Sequence, residues 1–518
     1  MAVTVPTANA DAGDLTVVHT RALIIGTGFS GLGMGIALQR QGVDFVILDK
    51  ADEIGGTWRD NTYPGCACDI PSHLYSFSFE PKPDWKHLFS YQDEIFDYLK
   101  GVAAKYGLRR HIVFNAHVQR AHWDDDEYRW HVFTADGREF VAQFLISAAG
   151  ALHIPSVPDF AGLDDFRSAG GAAFHSAEWD HDVDLTGKQV AVIGTGASAI
   201  QIVPEVIDRV GGLQLYQRTP PWVIPRTNEA LPPWLRRALT TIPGLRLALR
   251  AGIYGAQEAL AFGMTRRPGV LKVGESLGKW NIRRGVKDRE LRRRLTPHYR
   301  LGCKRILNSS SYYPAVADPK TELITGRIAR FARDGIITVD GTGREIHRKV
   351  DVVVFATGFH VSDSYTYVEI KGSRGEDLVD RWRREGVAAH RGITVAGVPN
   401  LFFLLGPNTG LGHNSMVYMI ESQIHYIGAA IGAADGAGAQ ALAPTRLAQD
   451  RFNDKLQRRL SRSVWNTGGC RSWYLDEHGR NPVLWGGYTW QYRNATHKLR
   501  AAEYQFLGVR DGGTEAVR

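Results

Sequence analysis

From Arg21 the chain reads RALIIGTGFSGLGMGIALQRQGVDFVILDK: an apolar run, a glycine turn, apolar residues at helical spacing, and a second apolar run. Period and punctuation together predict one βαβ unit. The same order returns after Gly187 in KQVAVIGTGASAIQIVPEVIDRVGGLQLYQRT and predicts a second. Between them, VAQFLISAAG reads as a buried strand closed at Gly150, and Pro155 and Pro158 mark a linker. From about Asn228 to Thr296 the text turns Pro-punctuated and rich in Leu and Arg at helical spacing, which reads as a helical insertion. Strand-like runs resume at DVVVFATGF and NLFFLLGP, as returns to the two sheets. The expected fold is α/β with two Rossmann-like dinucleotide-binding domains, both discontinuous. The first takes 16–151 and 391–518, the second 152–228 and 297–390, with 229–296 inserted in the second.

Composition narrows this little. A chain of 518 residues, 44% hydrophobic and 22% charged, has material for two or three packed domains. Its formal charge of +8 is met by a polyanionic cofactor, so nucleic acid need not be invoked. The arginines of the insertion read as a solvated face in preference to a membrane contact. Met1 to Thr20 carries acids and no Arg or Lys and lacks the apolar run of a signal peptide, and no stretch approaches the ~18 apolar residues of a membrane span. Four cysteines, Cys66, Cys68, Cys303 and Cys470, are too few to staple such a chain. Reduced thiols in a cytoplasmic enzyme are expected, with no metal site. No sequence feature sets the oligomeric state.

Gly26, Gly28 and Gly31 form GxGxxG between a strand and a helix, with Asp49 at the end of the following strand. In this pattern the first glycine makes the tight turn and the second admits a pyrophosphate to the backbone. The third lets helix pack on strand, and the acid takes a ribose hydroxyl pair. Gly194, Gly196 and Ala199 repeat the motif, but the matching strand ends in Arg218 and Thr219. An acid there repels a ribose 2′-phosphate, whereas a guanidinium binds it, so the second site is expected to take NADPH. A flavin and its reductant are the obvious pair.

These motifs, with Ala356, Thr357 and Gly358 in DVVVFATGF, resemble the class B flavin monooxygenases from Arg21 to about Thr496. GGTWRDNTYPGCACD, from Gly55 to Asp69, is similar to a fingerprint of the Baeyer-Villiger branch, and so are Gly171, His175, Trp179 and Asp180 in GGAAFHSAEWD. Ala169 departs from that pattern, which usually carries Phe there. The resemblance implies FAD contacts at Gly56, Thr57, Trp58 and Asp69, and NADP contacts at Ser198, Lys304 and Trp473. It also implies a linker whose His175 and Trp179 couple domain movement to cofactor position. Trp473 falls in WNTGGCRSWYLDEHGRN, similar to a mobile active-site loop, and GPNTGLGHNSM resembles a flavin-side segment. Arg305, steadied by Asp69, is expected to stabilise an anionic flavin peroxide for attack on a carbonyl.

The implied activity is NADPH-dependent insertion of one oxygen atom of O2 beside a ketone or aldehyde carbonyl, giving an ester or lactone. The rival is oxygenation of sulfur or nitrogen by the protonated peroxide. A flavin disulfide reductase shares both nucleotide folds, but no cysteine pair has its spacing.

Overall fold

The computed structural model describes residues 17–470 and 472–509. Most of Met1–Thr20 and the expected domain limits 16 and 518 lie outside them.

Strand β1 (Val18–Ile25) enters a helix, α1 (Phe29–Gln41), which returns the chain to β2 (Phe45–Leu48). Ala22, Leu23, Ile24 and the whole of β2 are buried, as strands covered on both faces must be. After β3 (Ile112–Val113), a meander of β4 (Val118–Asp124), β5 (Arg129–Thr134) and β6 (Glu139–Ser147) adds antiparallel pairs. β6 then lies parallel to β1, with Leu145 opposite Leu23.

The second sheet holds five parallel strands. They are β7 (Ala172–His175), β8 (Gln189–Ile193), β9 (Gly212–Tyr216), β10 (Thr321–Ile324) and β11 (Val352–Phe355), in the order β10-β9-β8-β11-β7. Helix α2 (Ala197–Val206) follows β8 as α1 follows β1. The expected linker residue His175 is thus the last residue of an edge strand. Phe166 fills the space beside Gly171, a Cβ on which would meet its ring at 2.3 Å.

Between β9 and β10 stands the insertion, with α3 (Pro233–Thr241), α4 (Leu245–Thr265), α5 (Lys272–Gly285) and α6 (Arg289–Leu295). The chain rejoins the first sheet earlier than the expected 391. Strand β12 (Glu369–Lys371) pairs with β4, Ile370 opposite Ala121, before β13 (Val398–Phe403) pairs with β6. Three residues carry no pattern strong enough to mark such a crossing. One apolar cluster runs from Ile24 and Phe144 in the first sheet to Val192 and Val354 in the second, so the two units share a core.

Candidate active site

Both glycine turns are built alike. Gly26 has φ 106° and Gly194 has φ 119°, a region costly for any side chain. A Cβ on Gly26 would meet the Ala148 carbonyl oxygen at 2.7 Å, and one on Gly194 the Ala356 oxygen at 2.3 Å. Each turn therefore nests against the carbonyl that ends a neighbouring strand. The helices that follow begin at Gly28 and Gly196 with no side chain capping them, so their first amides face outward for an anion. Gly56 lies across from Gly28, close enough that its Cβ would come within 3.3 Å of the Gly28 Cα. This is a cradle of bare backbone of the kind a pyrophosphate needs, and FAD fits it. Thr57 and Trp58 open the short helix beyond, where the buried Trp58 indole donates to the Tyr75 hydroxyl at 3.1 Å.

Asp49 lies where the pattern places it, but protein groups already satisfy it. One oxygen accepts from the Thr27 amide (2.8 Å) and hydroxyl, the other from Ala51 N (3.0 Å) and Arg59 Nη1 (3.1 Å). Arg59 also donates to Asp60 and to the Glu53 carbonyl. It is the one partner of Asp49 with other acceptors to fall back on when a ribose arrives.

On the other cradle, Arg218 is exposed two residues past β9, and the Lys304 ammonium lies within its field. Burial, and then the Arg218 charge, hold Lys304 below its ordinary value. Among the described residues no carboxylate pairs with either cation. Two like charges held together without a counterion form an anion site, and a 2′-phosphate fits it. Thr219 turns its carbonyl to the Thr195 hydroxyl (3.2 Å), and Ser198 lies beside the Tyr63 hydroxyl.

The Asp69 charge reaches Tyr75, which holds the Trp58 indole, and Tyr63, which lies beside Ser198, and Asp69 is itself paired with Arg305. Arg305 Nε donates to Asp69 Oδ2 at 2.6 Å and Nη2 to Oδ1 at 2.7 Å, a two-point grip that fixes the guanidinium plane. Burial pushes the Asp69 carboxyl up, but the charge and hydrogen bonds of Arg305, then the charge of Arg226, more than offset this and leave it below the usual range. Asp69 in turn holds Arg305 well above an ordinary arginine, against the cost of burial. The Arg305 side chain still exposes 42% of its surface, so the cation remains available to a ligand.

Two residues the motifs do not single out belong here. Arg226 stacks on Phe89 at 4.1 Å, reaches the Cys68 carbonyl at 3.4 Å and adds its charge to Asp69. Tyr474 is buried beside Arg305; burial raises its hydroxyl to about 12, less the opposing effect of Arg305. Its neighbour Trp473, expected to reach the nicotinamide, is 51% exposed and stands outside this cluster. In an aromatic pair on an irregular loop, periodicity does not say which ring turns inward.

His175 is buried. Nδ1 accepts from the Ala177 amide at 3.1 Å, and the ring meets Phe359 edge-on. Burial lowers it to about 4, only partly opposed by a hydrogen bond with the Gly358 backbone, so it is neutral at pH 7. Trp179 packs edge-on against Phe174.

One expectation is corrected. Cys303 and Cys470 are joined in a disulfide, not held as thiols. They lie 167 residues apart, and Gly468 lets their segments close: its carbonyl accepts from Arg300 N, and a Cβ there would meet the Cys303 Cβ at 2.6 Å. Such a pairing is a tertiary fact that spacing cannot show. Cys66 and Cys68 are buried thiols, and burial pushes Cys66 up to about 12.

Similarity to known proteins decides the family. A Baeyer-Villiger monooxygenase of Pseudomonas aeruginosa is 47% identical over 94% of this chain and 91% of its own length. One of Streptomyces coelicolor is 46% identical over 94% and 93%. The chain belongs to the Baeyer-Villiger monooxygenases. A family described as pyridine nucleotide-disulphide oxidoreductase matches residues 23–250 of this monooxygenase, the stretch holding both glycine turns. Its backbone superposes on cyclohexanone monooxygenase from Rhodococcus sp. Phi1 bound to NADP+ with a TM-score of 0.84, at 28% identity over 95% of this chain and all of that one. Among the described residues no helix is long and apolar enough to cross a membrane.

Proposed function

We propose that this Baeyer-Villiger monooxygenase oxidises ketones or aldehydes to esters or lactones in a cleft centred on Asp69 and Arg305, with FAD on the first glycine turn and NADPH on the second. The balance is ketone, O2, NADPH and a proton in, and ester, NADP+ and water out. When bound, FAD would supply the redox chemistry that links NADPH to O2.

The chain's own residues do the rest. Gly26 shapes the turn and Gly31 packs α1 on it, so that Gly28 and the first amides of α1 would hold the FAD pyrophosphate, and Asp49 would take the ribose once Arg59 leaves it, Arg59 keeping its bonds to Asp60 and the Glu53 carbonyl. Gly56, Thr57 and Trp58 border this pyrophosphate from the opposite side. Gly194, Gly196 and Ser198 do the same for NADPH at α2, with Arg218, Thr219 and Lys304 around the 2′-phosphate. Arg305 offers a permanent positive charge where negative charge develops on oxygen, and Asp69 keeps its fork from rotating away. His175, which ends the edge strand, and Trp179, four residues beyond it, are positioning residues. We place Trp473 at the NADPH only after a movement of its loop, which exposure of its ring permits.

The observation that carries this reading is the two-point pair of Asp69 and Arg305, with the Asp69 charge reaching Tyr75 beside Trp58 and Tyr63 beside Ser198. Purified, FAD-loaded enzyme given cyclic and aryl ketones beside thioethers is the test, following NADPH loss and ester formation together. Ester from at least one ketone is expected. Sulfoxide with no ester from any ketone sinks the reading in favour of heteroatom oxygenation.

Coenzyme choice tests the cation pair. Arg218→Ala is expected to raise KM for NADPH at least about tenfold, from loss of a charge-assisted contact of about 1.5–3 kcal/mol. The KM for NADH changes little. Steady-state kinetics with both coenzymes check this, and equal effects on the two argue against a 2′-phosphate contact.

A further inference from the structure

The helical insertion presents its surface contrary to the usual rule. Helix α5 is anchored by small residues: Gly274 faces Leu301, Gly278 faces Trp222 and Gly285 faces Tyr313, with Ile282 buried among them. Its large apolar side chains point the other way. Val273, Leu277 and Trp280, spaced i, i+4, i+7 on one face, are 68%, 48% and 50% exposed, and Val270 just before the helix is exposed as well. Beside this stripe runs a cationic flank of exposed Lys272, Lys279 and Arg283, and Arg284 lies over the Trp280 ring at 5.6 Å. Along α4 the exposed residues from Leu247 to Phe262 are apolar or glycine throughout, and Trp234 on α3 is exposed too.

Charge says what such a surface meets. Residues 233–285 hold ten Arg and Lys and two acids. Both acids are turned inward: Glu258 is buried against Thr489 and Asn414, and Glu275 pairs with Arg300. The outer face of α3 to α5 therefore combines aromatic and aliphatic side chains with cations, while the exposed acids Asp288 and Glu290 stand at α6, where Asp288 caps the helix and Glu290 pairs with Arg293. A second copy docked through this face about a twofold axis sets cation against cation with no acid between them. An anionic lipid surface supplies both an apolar layer for Trp280 and Leu277 and phosphates for the lysines and arginines.

We propose that the insertion is a peripheral docking surface for anionic membranes, seating the apolar stripe of α5 at the lipid headgroups. The cluster of Trp222, Met264, Leu271, Leu301 and Cys303 under the insertion continues to Tyr474 beside Arg305, so docking sets the membrane next to the walls of the active cleft.

The test is sedimentation of the full-length, FAD-loaded enzyme with vesicles of phosphatidylcholine alone and of an equal mixture with phosphatidylglycerol. The mixture is expected to raise the bound fraction at least about tenfold, with release at high salt, since basic residues near such a surface are drawn to it by an attraction that salt screens. The double variant Leu277→Glu, Trp280→Glu is expected to lose this binding while oxidising NADPH at the normal rate, which shows that it folds. Failure of the native enzyme to sediment with the mixed vesicles overturns the proposal, as does unchanged binding by the variant. A dimer in gel filtration that the same variant splits assigns the stripe to a second copy and also overturns it.

Discussion

Arg305→Ala is expected to go on oxidising NADPH within a few-fold of the normal rate while ester formation falls about 10²–10³-fold, the usual cost of losing one charge-stabilising group. Hydrogen peroxide accumulates in place of ester, because the guanidinium is required only after O2 has reacted. The reduction step relies instead on Arg218 and Lys304. Arg305→Lys is expected to rescue little, since an ammonium lacks the fork that grips both oxygens of Asp69 at 2.6 and 2.7 Å. The Arg226 charge still reaches Asp69 in either variant, so the carboxylate is not stranded and the effect reads on chemistry, not folding. Chromatographic ester yield set against peroxide release per NADPH measures the split. Normal coupling in Arg305→Ala would falsify the role given to this residue.

Gly31→Ala is expected to yield protein without FAD, or none in soluble form. A Cβ there falls 1.8 Å from the Gly26 carbonyl oxygen, a backbone atom that cannot step aside without opening the turn. Overpacking of this kind costs about 3 kcal/mol or more where nothing can relax. Gly28→Ala separates folding from binding. Its Cβ has protein no nearer than 4.0 Å, so this variant is expected to fold and to hold FAD weakly. Flavin absorbance per protein, with thermal melting of both variants, checks the pair. Full flavin content in Gly31→Ala contradicts the geometry.

The parts legible in the sequence are those where one residue type answers to one local need. Positive φ at Gly26 and Gly194 and the apolar runs that close β1 and β8 and fill β11 follow from local chemistry, and they are enough to lay out two nucleotide folds. The Asp69 and Arg305 pair, 236 residues apart, was reached only through resemblance to a family. Arg226 and Tyr474 stayed hidden because an arginine after a short strand and a tyrosine in an irregular loop look like many others. The full shell around Asp49 was hidden for another reason: Arg59 competes for the acid from a helix that local pattern places nowhere near it. Strand β12 crosses to the first sheet in three residues, too few for any period.

The bond between Cys303 and Cys470 closes a stretch of chain that holds strands of both sheets: β10 and β11 of the second, β12 and β13 of the first. In a chain-entropy account, a crosslink over 167 residues limits the unfolded ensemble by about 5 kcal/mol. It also ties the segment bearing Tyr474 to the one bearing Lys304 and Arg305. A purification carried out with a thiol reductant thus handles a different covalent molecule from one carried out without it, less resistant to heat and with a longer tether over its cleft.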